Sequence, residues 1–227
     1  MPAPDFDFSK LGNKWVAYFD LLGFKQHIKK RGLIDAFGLL NSCSNELGHH
    51  AQQFENVNLV SFSDTFLLYT SDDSRASFQA ITDVSRSFFD EVILAGIPVR
   101  GALAFGELYA DETNNLFLGQ ALIDAYEYGE KFDWLGFVLH PTALKRMSEV
   151  GQPVSQLYYK KCLVECKNRE TNTVKKTRVV AYKAGPGSIM PVTGGNPYLQ
   201  TAEEMRRTTK SKKHRKKYQN IIQFLKK

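Results

Sequence analysis

The apolar and polar positions of the N-terminal half follow two periods, and the switches between them predict its elements. In chain order these are a strand at residues 14–19, helices at 23–30 and 33–47, strands at 56–62 and 65–70, a helix at 74–94 and a strand at 99–108. The two middle strands are joined so tightly around Ser63 and Asp64 that they predict an antiparallel hairpin with Asp64 at its turn. The order β-α-α-β-β-α-β predicts an α+β fold of the ferredoxin-like type, with helices on one face of an antiparallel-centred sheet.

The C-terminal half continues with shorter elements. It predicts a helix at residues 119–132, a strand at 135–139, a helix at 141–147 and two pairing strands at 157–165 and 174–183. Glycine and proline crowd residues 185–197, which predicts a linker or loop, and a polar helical arm follows from about Thr201 to the end. We therefore expect a catalytic domain at residues 12–185 that includes the C-terminal β-hairpin, and a linker with a basic helical arm at residues 186–227.

Composition places the chain among ordinary soluble proteins. It has 227 residues, of which 43% are hydrophobic and 24% charged, enough for one substantial core. No apolar stretch of the sequence reaches bilayer length, and residues 1–7 have neither the basic region nor the apolar core of a signal peptide. These features predict a cytoplasmic protein without a membrane partner.

Cysteine and histidine spacing predicts neither a disulfide framework nor a zinc site. The three cysteines are expected to be reduced thiols; they are Cys43, Cys162 and Cys166. The five histidines show no ligand spacing; they are His27, His49, His50, His140 and His214. The adjacent pair His49 and His50 is assigned to a solvated loop.

Positive charge concentrates near the C-terminus. Much of the net charge of +6 sits at residues 210–217. Such a run is typical of a solvated tail or helix face, and the alternative is an arm that binds nucleic acid. No aromatic residue interleaves this run, as a platform for single-stranded nucleic acid would require.

Two acidic residues are distinctive because each lies at the edge of an apolar strand. Asp20 follows the first strand and Asp64 lies in the hairpin turn, and in a ferredoxin-like sheet these two elements are neighbours. A carboxylate in that position is costly unless it is paired or coordinated, so the two together predict a shared metal site rather than two unrelated cap residues. Gly23 and a helix follow Asp20, and free amides at that helix start suit the phosphates of a nucleotide.

Four short motifs carry a family resemblance. They are Asp20-Leu-Leu-Gly23-Phe24, the hairpin pair Ser63-Asp64, the strand at residues 99–108 and the helix start at residues 119–125. In this order and spacing the chain resembles the class III nucleotidyl cyclase catalytic domain over roughly residues 12–145. The resemblance implies that a nucleotide 3′-hydroxyl attacks its own α-phosphate while pyrophosphate leaves.

The resemblance also implies a ligand set and an assembly. Two ions, Mn²⁺ or Mg²⁺, would be held by Asp20, Asp64 and the carbonyl of Leu21. The triphosphate would be bound by amides around Gly23, Phe24 and Lys25. The family's active sites lie between two subunits, which implies a homodimer with two equivalent sites.

The chain departs from the purine cyclases at the positions that read the base and support the transition state. Val60 and Leu116 stand at the base-reading positions, and neither presents a directional hydrogen bond. The family's asparagine and arginine correspond to Ile123 and Glu127. Purine specificity of the usual kind is therefore not expected.

The residues of these motifs are most similar to those of the bacterial pyrimidine cyclases of antiphage (Pycsar) signalling systems. This resemblance implies that UTP is converted to cyclic UMP, which activates a separate cyclic-nucleotide-responsive effector protein. CTP and cyclic CMP are the alternative, and UTP is favoured by resemblance alone. Under this hypothesis Arg100 contacts the pyrimidine or a phosphate, and its alternative role is a structural salt bridge at a strand start.

Other assignments stay open at this point. Tyr18 and Tyr126 could stack on a base or belong to the core, and Asn58 could reach a base from its strand. The alternatives to a cyclase are a non-catalytic nucleotide-binding regulatory dimer and a nucleic-acid-binding protein that uses the basic arm.

Overall fold

The computed structural model describes residues 6–132, 134–151, 158–167, 173–183 and 196–226. A short 3₁₀ helix at Phe8–Lys10 precedes the first strand. The strands of the described residues are β1 (Leu11–Leu21), β2 (Val57–Phe62), β3 (Thr65–Thr70), β4 (Val99–Asp111), β5 (Leu116–Leu118), β6 (Phe137–Leu139), β7 (Tyr159–Lys167) and β8 (Val174–Tyr182). The helices are α1 (Phe24–Arg31), α2 (Leu33–Ala51), α3 (Arg75–Leu94), α4 (Gln120–Lys131), α5 (Pro141–Glu149), α6 (Pro197–Thr208) and α7 (Lys212–Leu225).

The strands form one sheet in the order β2-β3-β1-β4-β6-β8-β7, and β5 pairs with β4 outside this path. β1 lies between β3 and β4 and runs antiparallel to both, whereas β4 and β6 are parallel. β2 and β3 form the predicted antiparallel hairpin. The α+β, ferredoxin-like order of elements is therefore confirmed, together with the C-terminal β-hairpin of β7 and β8.

The predicted core order left the position of the helix at residues 119–132 open, and the structure places this helix, α4, on the face opposite the main core. α4 packs on β1 and β4 from the opposite face, where it forms a second apolar cluster. The small residues Ala121 and Ala125 are fully buried there and allow the helix to approach the strands closely. A helix-period pattern predicts that one face is buried and does not indicate which side of the sheet receives it.

The C-terminal segment is helical, as predicted, and its apolar side joins the main core. α6 contacts both α3 and α7. The buried residues of α6 and α7 include Tyr198, Ala202, Met205, Ile222 and Phe224. The polar arm expected from the composition is therefore an amphipathic helical pair. The predicted boundary between residues 185 and 186 stays a prediction, and most of the predicted linker lies outside the described residues.

Three further expectations concern single residues and membrane segments. α2 extends through Ala51, so His49 and His50 lie in its last turn and the solvated-loop assignment is wrong. Cys43, Cys162 and Cys166 are reduced thiols, as expected. Within the described ranges, none of the helices combines the length and the apolar character needed to cross a membrane.

Candidate active site

The structure brings Asp20 and Asp64 to the same edge of the sheet. Asp20 on β1 lies opposite Thr65, the residue that follows Asp64, in the antiparallel pairing of β1 with β3. The backbone N–H of Leu21 donates a hydrogen bond of 3.0 Å to the carbonyl oxygen of Asp64. Both aspartates are half-buried. Their adjacency therefore follows from strand pairing and does not depend on a flexible loop.

The tight turn of the β2–β3 hairpin positions Asp64. Phe62 pairs with Thr65 at the end of the ladder, so only Ser63 and Asp64 connect the two strands. Ser63 adopts a left-handed backbone conformation with φ of 54°. Two-residue hairpin connections of this kind need positive φ values, because these match the twist of the flanking strands. The turn keeps the Asp64 side chain at the sheet edge beside Asp20.

Arg100 on β4 holds Asp20 from the other side. Its Nε and Nη2 donate hydrogen bonds of 3.0 Å and 2.9 Å to one carboxylate oxygen of Asp20. The same guanidinium binds the carboxylate of Glu130 on α4, and its Nη1 donates to the Glu130 carbonyl oxygen at 3.4 Å. Arg100 therefore connects β1, β4 and α4 at the site.

The electrostatics of Asp20 favour a cation. Burial raises its pKa most strongly, Arg100 opposes this shift, and the charges of Glu130 and Asp64 raise the pKa further. Three carboxylates thus converge on one half-buried region that contains one guanidinium. A divalent ion beside Asp20 and Asp64 would add the missing positive charge, and carboxylate and carbonyl oxygens are the ligands that Mg²⁺ and Mn²⁺ prefer. The residues present fit such an ion.

The start of α1, which follows β1 directly, lies next to the aspartates. Gly23 is the residue before α1, with φ of 85°, and no side chain caps the helix. Glycine adopts this left-handed conformation at little cost, and the first amides of a helix lack partners within it. Phe24 is buried and anchors the helix, whereas Lys25 is exposed. A cavity of about 580 Å³ adjoins Gly23 and is bordered by His214 of α7.

The residues that the resemblance compares with the base-reading and transition-state positions of purine cyclases are half-buried or exposed. Val60 is half-buried against the second apolar cluster, and Leu116 is exposed on β5. Ile123 and Glu127 lie exposed on α4. Asn58 donates a hydrogen bond of 3.4 Å to the hydroxyl of Ser71.

Of the aromatic pair Tyr18 and Tyr126, only Tyr18 belongs to the core. Tyr18 is buried and meets the ring of Tyr126 edge-on, with 5.4 Å between centroids. Burial raises the pKa of Tyr18 well above its usual value, so its hydroxyl stays protonated. Tyr126 is exposed. Only Tyr126 of the two therefore has a face that a planar ligand could reach.

Glu130 is the site residue that the sequence did not indicate. It occupies the last part of a helix whose existence was predicted, and nothing in its local pattern relates it to Arg100, thirty positions earlier. The contact arises because α4 crosses the same end of β1 and β4. A search for acidic residues on the predicted helix would have found Glu130 together with several others.

Comparison with known proteins identifies the fold. The catalytic core of a rhodopsin-guanylyl cyclase with converted specificity, in complex with ATPαS, shares 13% identity and a TM-score of 0.56 and covers 75% of this chain and 95% of its own. The guanylate cyclase domain of RhGC from Catenaria anguillulae, in complex with GTP, shares 13% identity with a TM-score of 0.54. The match covers 75% of this chain and 96% of that domain. A bacterial light-regulated adenylyl cyclase shares 12% identity with a TM-score of 0.52, and the match covers 88% of this chain and 99% of that one.

These structures define the class of fold. The chain has the fold of nucleotidyl cyclase catalytic domains, on which Asp20 and Asp64 lie at one sheet edge. No protein-family model and no curated protein matches the chain by sequence. The identities of 12–13% carry the fold alone, and activity has to be argued from the site.

Proposed function

We propose that this protein is a nucleotidyl cyclase that converts UTP to 3′,5′-cyclic UMP and pyrophosphate. The observation that carries the proposal is the pair Asp20 and Asp64 at one sheet edge, next to the uncapped start of α1, in a chain with a nucleotidyl cyclase fold. Two half-buried carboxylates beside each other gain nothing from packing and suit metal-assisted phosphoryl chemistry.

Metal binding would involve Asp20, Asp64 and the carbonyl of Leu21. When bound, two divalent ions supply charge neutralisation on the phosphates and lower the pKa of the attacking hydroxyl. The amides of Gly23, Phe24 and Lys25 hold the triphosphate at the start of α1. The metal-ligand carboxylates and the phosphate-binding amides lie close together in this arrangement. They would position the α-phosphate for attack by the 3′-hydroxyl of the same nucleotide.

The reaction balances within one nucleotide. The 3′-oxygen forms a bond to the α-phosphorus as the bond from that phosphorus to the bridging oxygen breaks. Pyrophosphate leaves with the electron pair, and the hydroxyl proton passes to solvent. The protein residues contribute position and electrostatic stabilisation rather than a covalent intermediate.

The absence of polar groups at the usual base-reading positions supports a pyrimidine substrate. Val60 and Leu116 cannot present the hydrogen bonds that separate adenine from guanine. Arg100 offers fixed donors to a pyrimidine carbonyl or to a phosphate once it leaves Asp20. UTP rather than CTP, and a role in antiphage signalling through a separate effector, rest on the motif resemblance described above.

A homodimer is part of the proposal. α4 and β5 carry large apolar side chains that the monomer leaves exposed; they are Leu116, Leu118, Ile123 and Tyr126. Such residues are typical of a surface that a second copy covers.

A second candidate is a nucleotide-binding regulatory dimer without turnover. The observation that favours it is the engagement of Asp20 by Arg100, together with the apolar Ile123 in place of the family asparagine. In that case the protein would bind a nucleoside triphosphate and release it unchanged.

Product analysis separates these functions. The purified protein is incubated with Mn²⁺ and each of the four ribonucleoside triphosphates, and products are identified by mass. Cyclic UMP supports the proposal, and cyclic CMP corrects only the choice of pyrimidine. A cyclic purine contradicts our assignment of Val60 and Leu116. Binding of a triphosphate without any cyclic product supports the regulatory dimer.

A further inference from the structure

A histidine and two glutamates converge between α2 and α3, outside the candidate active site. Glu46 and His50 lie one turn apart on α2, and Glu91 lies near the end of α3. One donor atom from each residue lies within 4.8 Å of the other two. His50 Nε2 is 2.8 Å from an oxygen of Glu91.

Within the described part of the chain, no basic side chain balances the charges of the two glutamates of this cluster. Among the described residues, the ion pair recorded for this cluster joins Glu91 to His50, and no lysine or arginine pairs with Glu46 or Glu91. The second carboxylate oxygen of Glu91 is buried and has no hydrogen-bond partner there. A buried carboxylate oxygen without a donor costs free energy, and a cation held by the cluster would satisfy it.

We propose that Glu46, His50 and Glu91 form a binding site for a divalent transition metal, with Zn²⁺ as the fitting ion. One imidazole nitrogen with carboxylate oxygens suits Zn²⁺ rather than Mg²⁺ or Ca²⁺, which prefer oxygen ligands alone. In a tetrahedral zinc site the donor atoms are about 3.3 Å apart, because each bond is about 2.0 Å long. Glu46 is exposed, so rotation of its side chain can bring its oxygen to that spacing.

The site would join two helices that pack against each other. α2 and α3 are in contact, and the ligands come from both. Because three protein ligands leave a fourth position, a water molecule would complete the coordination, and the ion would replace the hydrogen bond between His50 and Glu91. The proposal does not depend on the nucleotide reaction, since none of these residues belongs to the sheet edge that carries Asp20.

The test uses the full chain with Asp20→Ala and Asp64→Ala, so that zinc cannot be held by the two aspartates. Zn²⁺ is titrated in competition with a chromophoric chelator, and the unfolding temperature is followed with and without the ion. We expect saturable binding of one equivalent and a higher unfolding temperature. Adding His50→Ala weakens the Zn²⁺ affinity at least about tenfold, since even indirect partners of metal ligands contribute about that much.

His49→Ala is the matched control, because His49 is the exposed neighbour on the same helix and lies outside the cluster. It should leave the zinc affinity unchanged. If the His50 variant does not fold, Glu91→Gln, which keeps the size of the side chain, should weaken binding in the same way. Equal zinc affinity in the His49 and His50 variants, or no saturable binding in the parent, overturns the proposal.

Discussion

Arg100 directs two of its nitrogens at one carboxylate oxygen of Asp20, at 3.0 Å and 2.9 Å, across the pairing of β4 with β1. The same guanidinium binds Glu130 on α4. Asp20 and Arg100 are direct partners in the strand register, so their contact is fixed by the sheet itself. In this arrangement Arg100 holds the carboxylate that we assign to metal binding.

Removing the guanidinium should make Asp20 harder to ionise. Burial raises the pKa of Asp20 and Arg100 opposes that shift, so Arg100→Ala raises the pKa further. Mn²⁺ binding, which requires the ionised carboxylate, should then be lost at a higher pH than in the parent. The measurement is Mn²⁺ affinity against pH, with Arg100→Lys, which keeps a positive charge, as the intermediate case. Superimposable pH profiles for all three proteins would contradict this account of Asp20.

Gly101 should tolerate no side chain, because a Cβ there would lie 2.4 Å from the carbonyl oxygen of Tyr18 and 2.7 Å from the ring of Phe19. Gly101→Ala is expected to lower the free energy of unfolding by about 1–3 kcal/mol, as overpacking does. Gly38→Ala is the control, since Gly38 is exposed on α2 with open space around it. That change should raise stability by about 0.5–1 kcal/mol. Urea unfolding measures the free energy of unfolding of both variants. Equal changes in the two variants would be inconsistent with the β1–β4 packing.

The C-terminal helix should behave as part of the core. Phe224 is buried, with its ring 5.2 Å from that of Trp134. Phe224→Ala should therefore cost about 3–5 kcal/mol of unfolding free energy. Lys212→Ala, at an exposed position of the same helix, should change it by less than about 0.5 kcal/mol. Thermal or urea unfolding tests this prediction. An unfolding free energy equal to that of the parent in the Phe224 variant would show that α7 is a solvated arm and not part of the core.

Dimer formation should depend on the exposed apolar side of α4. Ile123→Glu places a charge on that surface and should shift the protein to the monomer in light scattering. Cyclase activity should fall with it if the sites lie between two subunits. Glu127→Gln, one turn further along the helix and also exposed, should leave the assembly intact. A dimer that persists in the Ile123 variant would place the interface elsewhere.

The sequence predicted the order of elements because hydrophobic periodicity and turn residues are local signals. The hairpin around Asp64 and the break between α1 and α2 were found in this way. The burial of α7 was missed because basic residues dominate its composition, although Tyr218 and Ile222 recur at helical spacing. The link from Arg100 to Glu130 was missed because side-chain pairing across elements depends on how α4 crosses the sheet. Local patterns therefore predicted that Asp20 and Asp64 lie at one sheet edge and named Arg100 as a candidate, but they did not indicate Glu130.

The most direct test of the account is the dependence of cyclic UMP formation on the two carboxylates. Initial rates with UTP and Mn²⁺ are measured for the parent, Asp20→Asn, Asp64→Asn and the control Asp83→Asn, which alters an aspartate on α3 that pairs with Arg86. We predict that either site variant lowers the rate by at least about 100-fold, whereas the control retains it. Cyclic UMP formed at the parental rate by both site variants would contradict the assignment of Asp20 and Asp64.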